Sequence, residues 1–203
     1  MALSTTENRI LMTRAREALK GKWGMAAGAT LLYIVIIAII QQIPKIGFLL
    51  SLLMTGPVAL GFYTFIFSIS RNQNAKIEQV FLGFQNLKTA INAFVTYLVV
   101  VIFIILWMLL LIVPGIIAAF SYSMTLLILA DDPTITPLDA IRRSKAMMQG
   151  NKWKLACLSF RFIGWWILCI FTLGIGYFWL MPYMSVSIAQ LYDDIKANDV
   201  PSL

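Results

Sequence analysis

The side chains of this 203-residue chain that could do chemistry are few. Asp131, Asp132 and Asp139 form the densest acidic group. Paired carboxylates bind Mg²⁺ or serve as acid and base. No second acidic cluster, histidine or Gly-rich phosphate loop accompanies them. The expected roles are span termination and helix capping, with a salt bridge to Arg142, Arg143 or the N-terminal basic helix as the alternative. Arg161 is the only ionised residue inside a predicted span, and intramembrane charge marks a functional site by default. It lies one short stretch past Trp153, about 12 Å along a helix, so its head can snorkel back to phosphates. Snorkelling or structural pairing is one reading; contact with a substrate or lipid headgroup is the other. Arg142, Arg143, Lys145, Lys152 and Lys154 either orient the chain in a bilayer or meet anionic headgroups. Ser121, Ser123, Ser185 and Ser187 lack the neighbouring base that a nucleophile needs, which favours helix-packing hydrogen bonds. No catalytic residue, metal ligand set or cofactor site is expected.

The elements that must position these residues are membrane spans. Hydrophobic residues make up 60% of the chain and charged ones 12%, against about 25% charged in soluble domains. The net charge of +7 sits in short polar segments with no zinc or RNP motif, so nucleic acid is not an expected partner. Cys157 and Cys169 fall about 18 Å apart along one predicted helix, too far to bridge within it.

Residues 1–22 open with a capping-box pattern, Ser4-Thr5-Thr6-Glu7. An amphipathic helix follows, with Leu11, Met12, Ala15, Ala18 and Leu19 on one face and Arg14, Arg16, Glu17 and Lys20 off it; it is expected along the membrane surface. Span one, 24–40, is read as retained, without a signal-peptide cleavage pattern, and holds Gly24-x-x-x-Gly28. Span two, 46–69, contains Gly56-Pro57. In the next polar segment Ile77, Val80, Phe81 and Phe84 recur at helical spacing, predicting a second amphipathic helix. Residues 93–130 would form a helix about 57 Å long against a hydrocarbon core of about 30 Å, so a turn is expected near Pro114-Gly115. Gly115, Ala119 and Ser123 form a small-residue stripe suited to helix packing. Thr136 caps a third amphipathic helix with Pro137 first and Asp139 third; Leu138, Ile141, Ser144 and Met148 share its face. Residues 155–191 again form two spans, turning at 172–176, with Pro182 in the second. Trp23 and Trp153 fit interfacial anchors, and Trp165, Trp166 and Trp179 fit packing or an outer belt rather than a ligand cage.

All lysines and arginines except Lys45 and Arg161 then fall on one side, which makes both termini cytoplasmic in a bacterial cytoplasmic membrane. The basic stretch 140–155, AIRRSKAMMQGNKWKL, has a weaker copy at 14–26, RAREALKGKWGMA. The predicted fold is therefore all-α: one integral membrane domain, 1–203, with six transmembrane helices and three amphipathic cytoplasmic helices. It is built as three parallel helix-plus-hairpin repeats at about 1–70, 71–131 and 132–195.

Several ordered motifs carry a family resemblance: PGIIAA from Pro114, Tyr122-Ser123-Met124, Ala130-Asp131-Asp132-Pro133, AIRRSK from Ala140, GNKW from Gly150, FIGWW from Phe162 and LGIGY from Leu173. Together they resemble a bacterial integral-membrane family catalogued as domain of unknown function 975, found mainly in Gram-positive bacteria. It is more distantly similar to the membrane domain of some glycerophosphodiester phosphodiesterases. The resemblance implies a multi-pass membrane protein and supplies no activity or catalytic residue. The family pattern implies a neutral residue where this chain has Arg161. The function that fits is a non-enzymatic protein that binds anionic lipid or a membrane partner, another copy of itself included, as an accessory or scaffold. The alternative is transport or flipping of a lipid or peptide, or immunity to a membrane-active peptide.

Overall fold

The computed structural model describes residues 3–198; the expectations for 1–2 and 199–203 lie outside the described residues. In chain order the elements are α1 (Asn8–Ala18), α2 (Trp23–Gln41), α3 (Gly47–Ser70), a 3-10 segment (Ile77–Phe84), α4 (Leu87–Leu110), α5 (Ile112–Tyr122), α6 (Thr125–Asp131), α7 (Pro137–Met147), α8 (Lys152–Arg161), α9 (Ile163–Phe171) and α10 (Tyr177–Asn198). There is no strand among the described residues. Three apolar hairpins result: α2 with α3, α4 with α5–α6, and α8–α9 with α10.

Five stretches are long and apolar enough to cross a membrane: Trp23–Gln41, Gly47–Ser70, Leu87–Leu110, Ile112–Asp131 and Lys152–Phe171. The sixth expected span corresponds to α10, which is not among these five. Its later turns carry Ser185, Ser187 and Gln190, then Asp193, Asp194 and Lys196. Large apolar side chains stand exposed at the hairpin ends, among them Phe48, Leu109, Ile112, Phe171 and Leu173. A surface of this kind suits lipid, since soluble monomers keep their exposed apolar patches small.

The core lies toward the other, charged end. Leu11, Leu19, Phe65, Ile66, Ile69, Met124 and Tyr192 are buried in one cluster there. The amphipathic face of α1 is the expected one, with Leu11, Ala15 and Ala18 buried and Leu19 just beyond. It is α10 that packs on this helix.

Local structure departs from the sequence reading at three places. The turn expected at Pro114-Gly115 falls at Leu111, whose backbone is extended (φ −165°, ψ 146°). Pro114 belongs to the first turn of α5, where a missing N–H costs nothing. Residues 77–84 wind as a 3-10 helix rather than an α-helix. The three-residue repeat buries Val80 and Gly83 against α3 and leaves Phe81 and Phe84 exposed. Contact there is backbone to backbone: a Cβ added at Gly83 would lie 1.9 Å from the Pro57 carbonyl oxygen. Finally, Ser4 and Thr6 do not cap α1, which has no side-chain cap bond. Both hydroxyls donate instead to the Asp194 carboxylate, because a charged acceptor makes the stronger bond.

The two copies of the basic module share a backbone. Gly21 and Gly150 both adopt left-handed φ, 78° and 81°, where only glycine is unstrained. A helix then starts at Trp23 in one copy and at Lys152 in the other.

Candidate functional site

The strongest polar constellation lies where the three hairpins end. Arg71 follows α3, Asp131 ends α6, and Asp193 sits near the end of α10. The Arg71 guanidinium donates through Nη1 to Asp131 Oδ1 at 2.7 Å and through Nη2 to Asp193 Oδ1 at 2.8 Å. Its Nε donates to Asp193 Oδ2 at 3.3 Å. The remaining Asp131 oxygen accepts from Lys196 Nζ and from the Tyr192 hydroxyl, the latter at 3.0 Å. Burial pulls the Arg71 pKa down, but the bonds to Asp193 and Asp131 outweigh that and raise it. Burial and the facing Asp131 both push the Tyr192 hydroxyl up. One arginine thus ties the returning helices of all three hairpins together.

A second seam joins the chain's two described ends. Ser4, Thr6 and the Thr6 N–H surround Asp194. Lys154 Nζ donates to the Ser4 carbonyl at 2.7 Å, and Asn8 donates to the Lys154 carbonyl at 3.0 Å. Burial pulls the Asp194 carboxyl up, but the donors from Ser4 and Thr6 win and hold it below the usual range.

The other acidic residues do not converge on Asp131. Asp132 accepts from the Thr134 hydroxyl and N–H, bonds that lower its pKa. Asp139 joins the N-cap of α7: Thr136 Oγ1 donates to it at 2.6 Å and accepts from its N–H at 3.3 Å. Among the described residues no three carboxylate, thiol or imidazole groups cluster as a metal site. The two cysteines are free.

Of the basic residues singled out by sequence, Arg142 makes one long pair with Asp139, 3.6 Å, with both partners exposed. Arg143, Lys145 and Arg161 are exposed, Lys152 is half-buried, and Lys154 is engaged in the seam. Gly115 packs on Met108, where an added Cβ would lie 2.4 Å from Cγ. Ala119 and Ser123 are half-buried; the buried row on α5 is Gly115, Ala118 and Ser121, and Ser121 O accepts from buried Ser144 at 2.8 Å.

Two cavities stand out among the described residues. One, about 540 Å³, lies between α3, the 3-10 segment, the start of α4 and the loop after α6, with Thr64, Gln85, Asn86, Lys88 and Thr134 on its walls. The other is an open apolar cleft of about 370 Å³ between α2, α9 and α10. Trp23, Trp165, Leu168, Trp179 and Tyr183 line it, with Cys169, Thr172 and Gly176 at its hairpin end. Arg16, from the last turns of α1, is its one charged residue. The Trp23 and Tyr183 rings meet edge to face, centroids 6.1 Å apart. Arg161 lines neither cavity.

Sequence reasoning missed the clamp and the cleft. The clamp had a signal: Arg71, Asp131 and Asp193 each lie at or near the end of the returning helix of one hairpin. The cleft had a weaker one, since Trp165 and Tyr183 stand at equal distances on either side of Gly174, so the hairpin brings them level. Trp23 and Trp153, copies in the module, have different surroundings: Trp23 is half-buried in the cleft and Trp153 is 74% exposed.

A family model described as Protein of unknown function (DUF975) matches residues 5–121 and 100–199. The chain belongs to that family. No curated protein matches it, and no solved structure does.

Proposed function

We propose that this family member is a non-enzymatic, multi-pass protein of the bacterial cytoplasmic membrane that binds anionic lipid as an accessory or scaffold protein. In this reading α10 is the sixth crossing, the three hairpins are repeats, and both termini are cytoplasmic. The repeat reading is supported by the way Arg71, Asp131 and Asp193, at or near the ends of the three returning helices, meet. The lipid reading is carried by one observation: Arg142, Arg143 and Lys145 stand exposed on α7, the long Arg142–Asp139 contact being their one ion pair among the described residues, at the border of a chain whose hairpin ends are apolar and open. Basic side chains next to an anionic leaflet contribute about 1 kcal/mol each. The acids on which an enzyme reading would rest are divided between the Arg71 clamp and local caps. A transport reading would need Arg161 in a cavity, and it lines neither.

The test is lipid analysis of the protein extracted from its own membrane. Anionic lipid should be enriched over the bulk composition, and the R142Q/R143Q/K145Q variant should lose part of that enrichment. A co-purified lipid pool identical to the bulk would refute the reading.

A further inference from the structure

We infer that the cleft between α2, α9 and α10 is a site for one anionic phospholipid, with a single acyl chain between Trp165 and Trp179 and the phosphate on Arg16. The inference rests on the lipid-binding reading above and assigns it a second, separate place. The cleft has a direction. Arg16, Trp23 and the Tyr183 ring stand at one end, and Trp179, Thr172 and Gly176 at the other. From Tyr183 to Gly176 is about 10 Å of helix, most of one leaflet's share of a hydrocarbon core of about 30 Å. The volume, about 370 Å³, is within the usual range of ligand pockets.

Charge selects the headgroup. Arg16 makes no ion pair among the described residues, and no carboxylate lines the cleft. A quaternary ammonium would be drawn to the indole faces but repelled by Arg16. A phosphate carrying net negative charge has no such conflict, and a guanidinium offers it a two-pronged donor. Trp165, Leu168 and Trp179 are about half exposed, so the cleft opens along one side to the surrounding apolar surface and a chain can enter laterally.

The experiment is native mass spectrometry of the detergent-extracted full chain offered equal amounts of phosphatidylglycerol and phosphatidylcholine. The wild type should retain one phosphatidylglycerol, favoured about fivefold over phosphatidylcholine, the ratio that one basic side chain at the surface supplies. R16Q should erase the preference at the one most tightly retained lipid and R16K should keep much of it. R142Q/R143Q/K145Q should keep it as well. L168W, which fills the cleft and leaves Arg16 in place, should lose retained lipid of either class. If R16Q and L168W retain phosphatidylglycerol like the wild type while the triple variant does not, the cleft assignment is overturned and the α7 surface alone binds lipid. If the wild type shows no preference, both readings fall.

Discussion

Asp131 has more partners than any other carboxylate in the clamp, and it is the residue whose loss should be felt most. Its side chain is 11% exposed and meets Arg71, Lys196 and Tyr192. Asp131→Ala leaves a partly buried guanidinium short of a partner and should cost about 2 kcal/mol, between a surface pair and a buried one. Arg142→Gln, in a pair whose arginine is 79% exposed, should change stability by less than about 0.5 kcal/mol. Denaturation in detergent micelles, followed by circular dichroism, compares the two. Equal effects would mean that the clamp is only a surface contact. Asp194 adds a pH dependence. Its folded pKa lies below the unfolded value of about 3.9, so its contribution is complete above that value and is lost as pH falls through the folded one. Removing both hydroxyl donors with Ser4→Ala and Thr6→Ala should flatten the acid limb of the stability curve. An acid limb unchanged by the double substitution would contradict the assignment. These partnerships were hard to read from sequence. Asp131 and Asp132 are adjacent and chemically identical, and only the fold sends one to Arg71 and the other to Thr134.

At the scale of elements, the glycines separate what pattern can reveal from what it cannot. Gly24 and Gly28 have the spacing of a helix-contact motif, yet an added Cβ at Gly24 meets nothing within 4 Å and one at Gly28 meets only Ile77. Gly61 and Gly83 have no such spacing. A Cβ at Gly61 would lie 1.9 Å from the Val80 carbonyl oxygen, a backbone atom that cannot swing aside. Gly61→Ala or Gly83→Ala should therefore destabilise by about 3 kcal/mol, at the upper end of overpacking costs. Gly24→Ala should be neutral or stabilise by up to about 1 kcal/mol through helix propensity. Thermal unfolding of the three variants orders them, and a Gly24→Ala variant as damaged as Gly83→Ala would contradict the packing described. The cap of α7 was legible because it is local: Thr136, Pro137 and Asp139 start the helix as their types require, although Leu138, expected on the face it shares with Ile141 and Ser144, is 54% exposed. The 3-10 winding of 77–84 was not, because Ile77, Val80, Phe81 and Phe84 also fit an α-helix. What decides the winding is the close approach to α3, a tertiary fact.

For the molecule as a whole, the lengths of the apolar runs and the polar segments between them gave the helical hairpins and their order. Membership of the family adds no activity. The contents of the interior were less legible. The sequence drew attention to Arg161, which lines neither of the two cavities described, and passed over Arg16, which lines the apolar cleft. A helical wheel places Arg16 off the buried face of α1 but cannot say which neighbour waits there. The arrangement in the membrane turns on α10, whose polar later turns set it apart from the five apolar stretches. Substituted-cysteine labelling in intact cells tests this directly, in a chain with Cys157 and Cys169 replaced by alanine. Lys45→Cys and Leu173→Cys, at the ends of the first and third hairpins, should react with a membrane-impermeant maleimide from outside. Asn74→Cys and Gln149→Cys should react only after permeabilisation. If Leu173→Cys also needs permeabilisation while Lys45→Cys does not, the α9–α10 hairpin does not cross, and the six-span, three-repeat account is wrong.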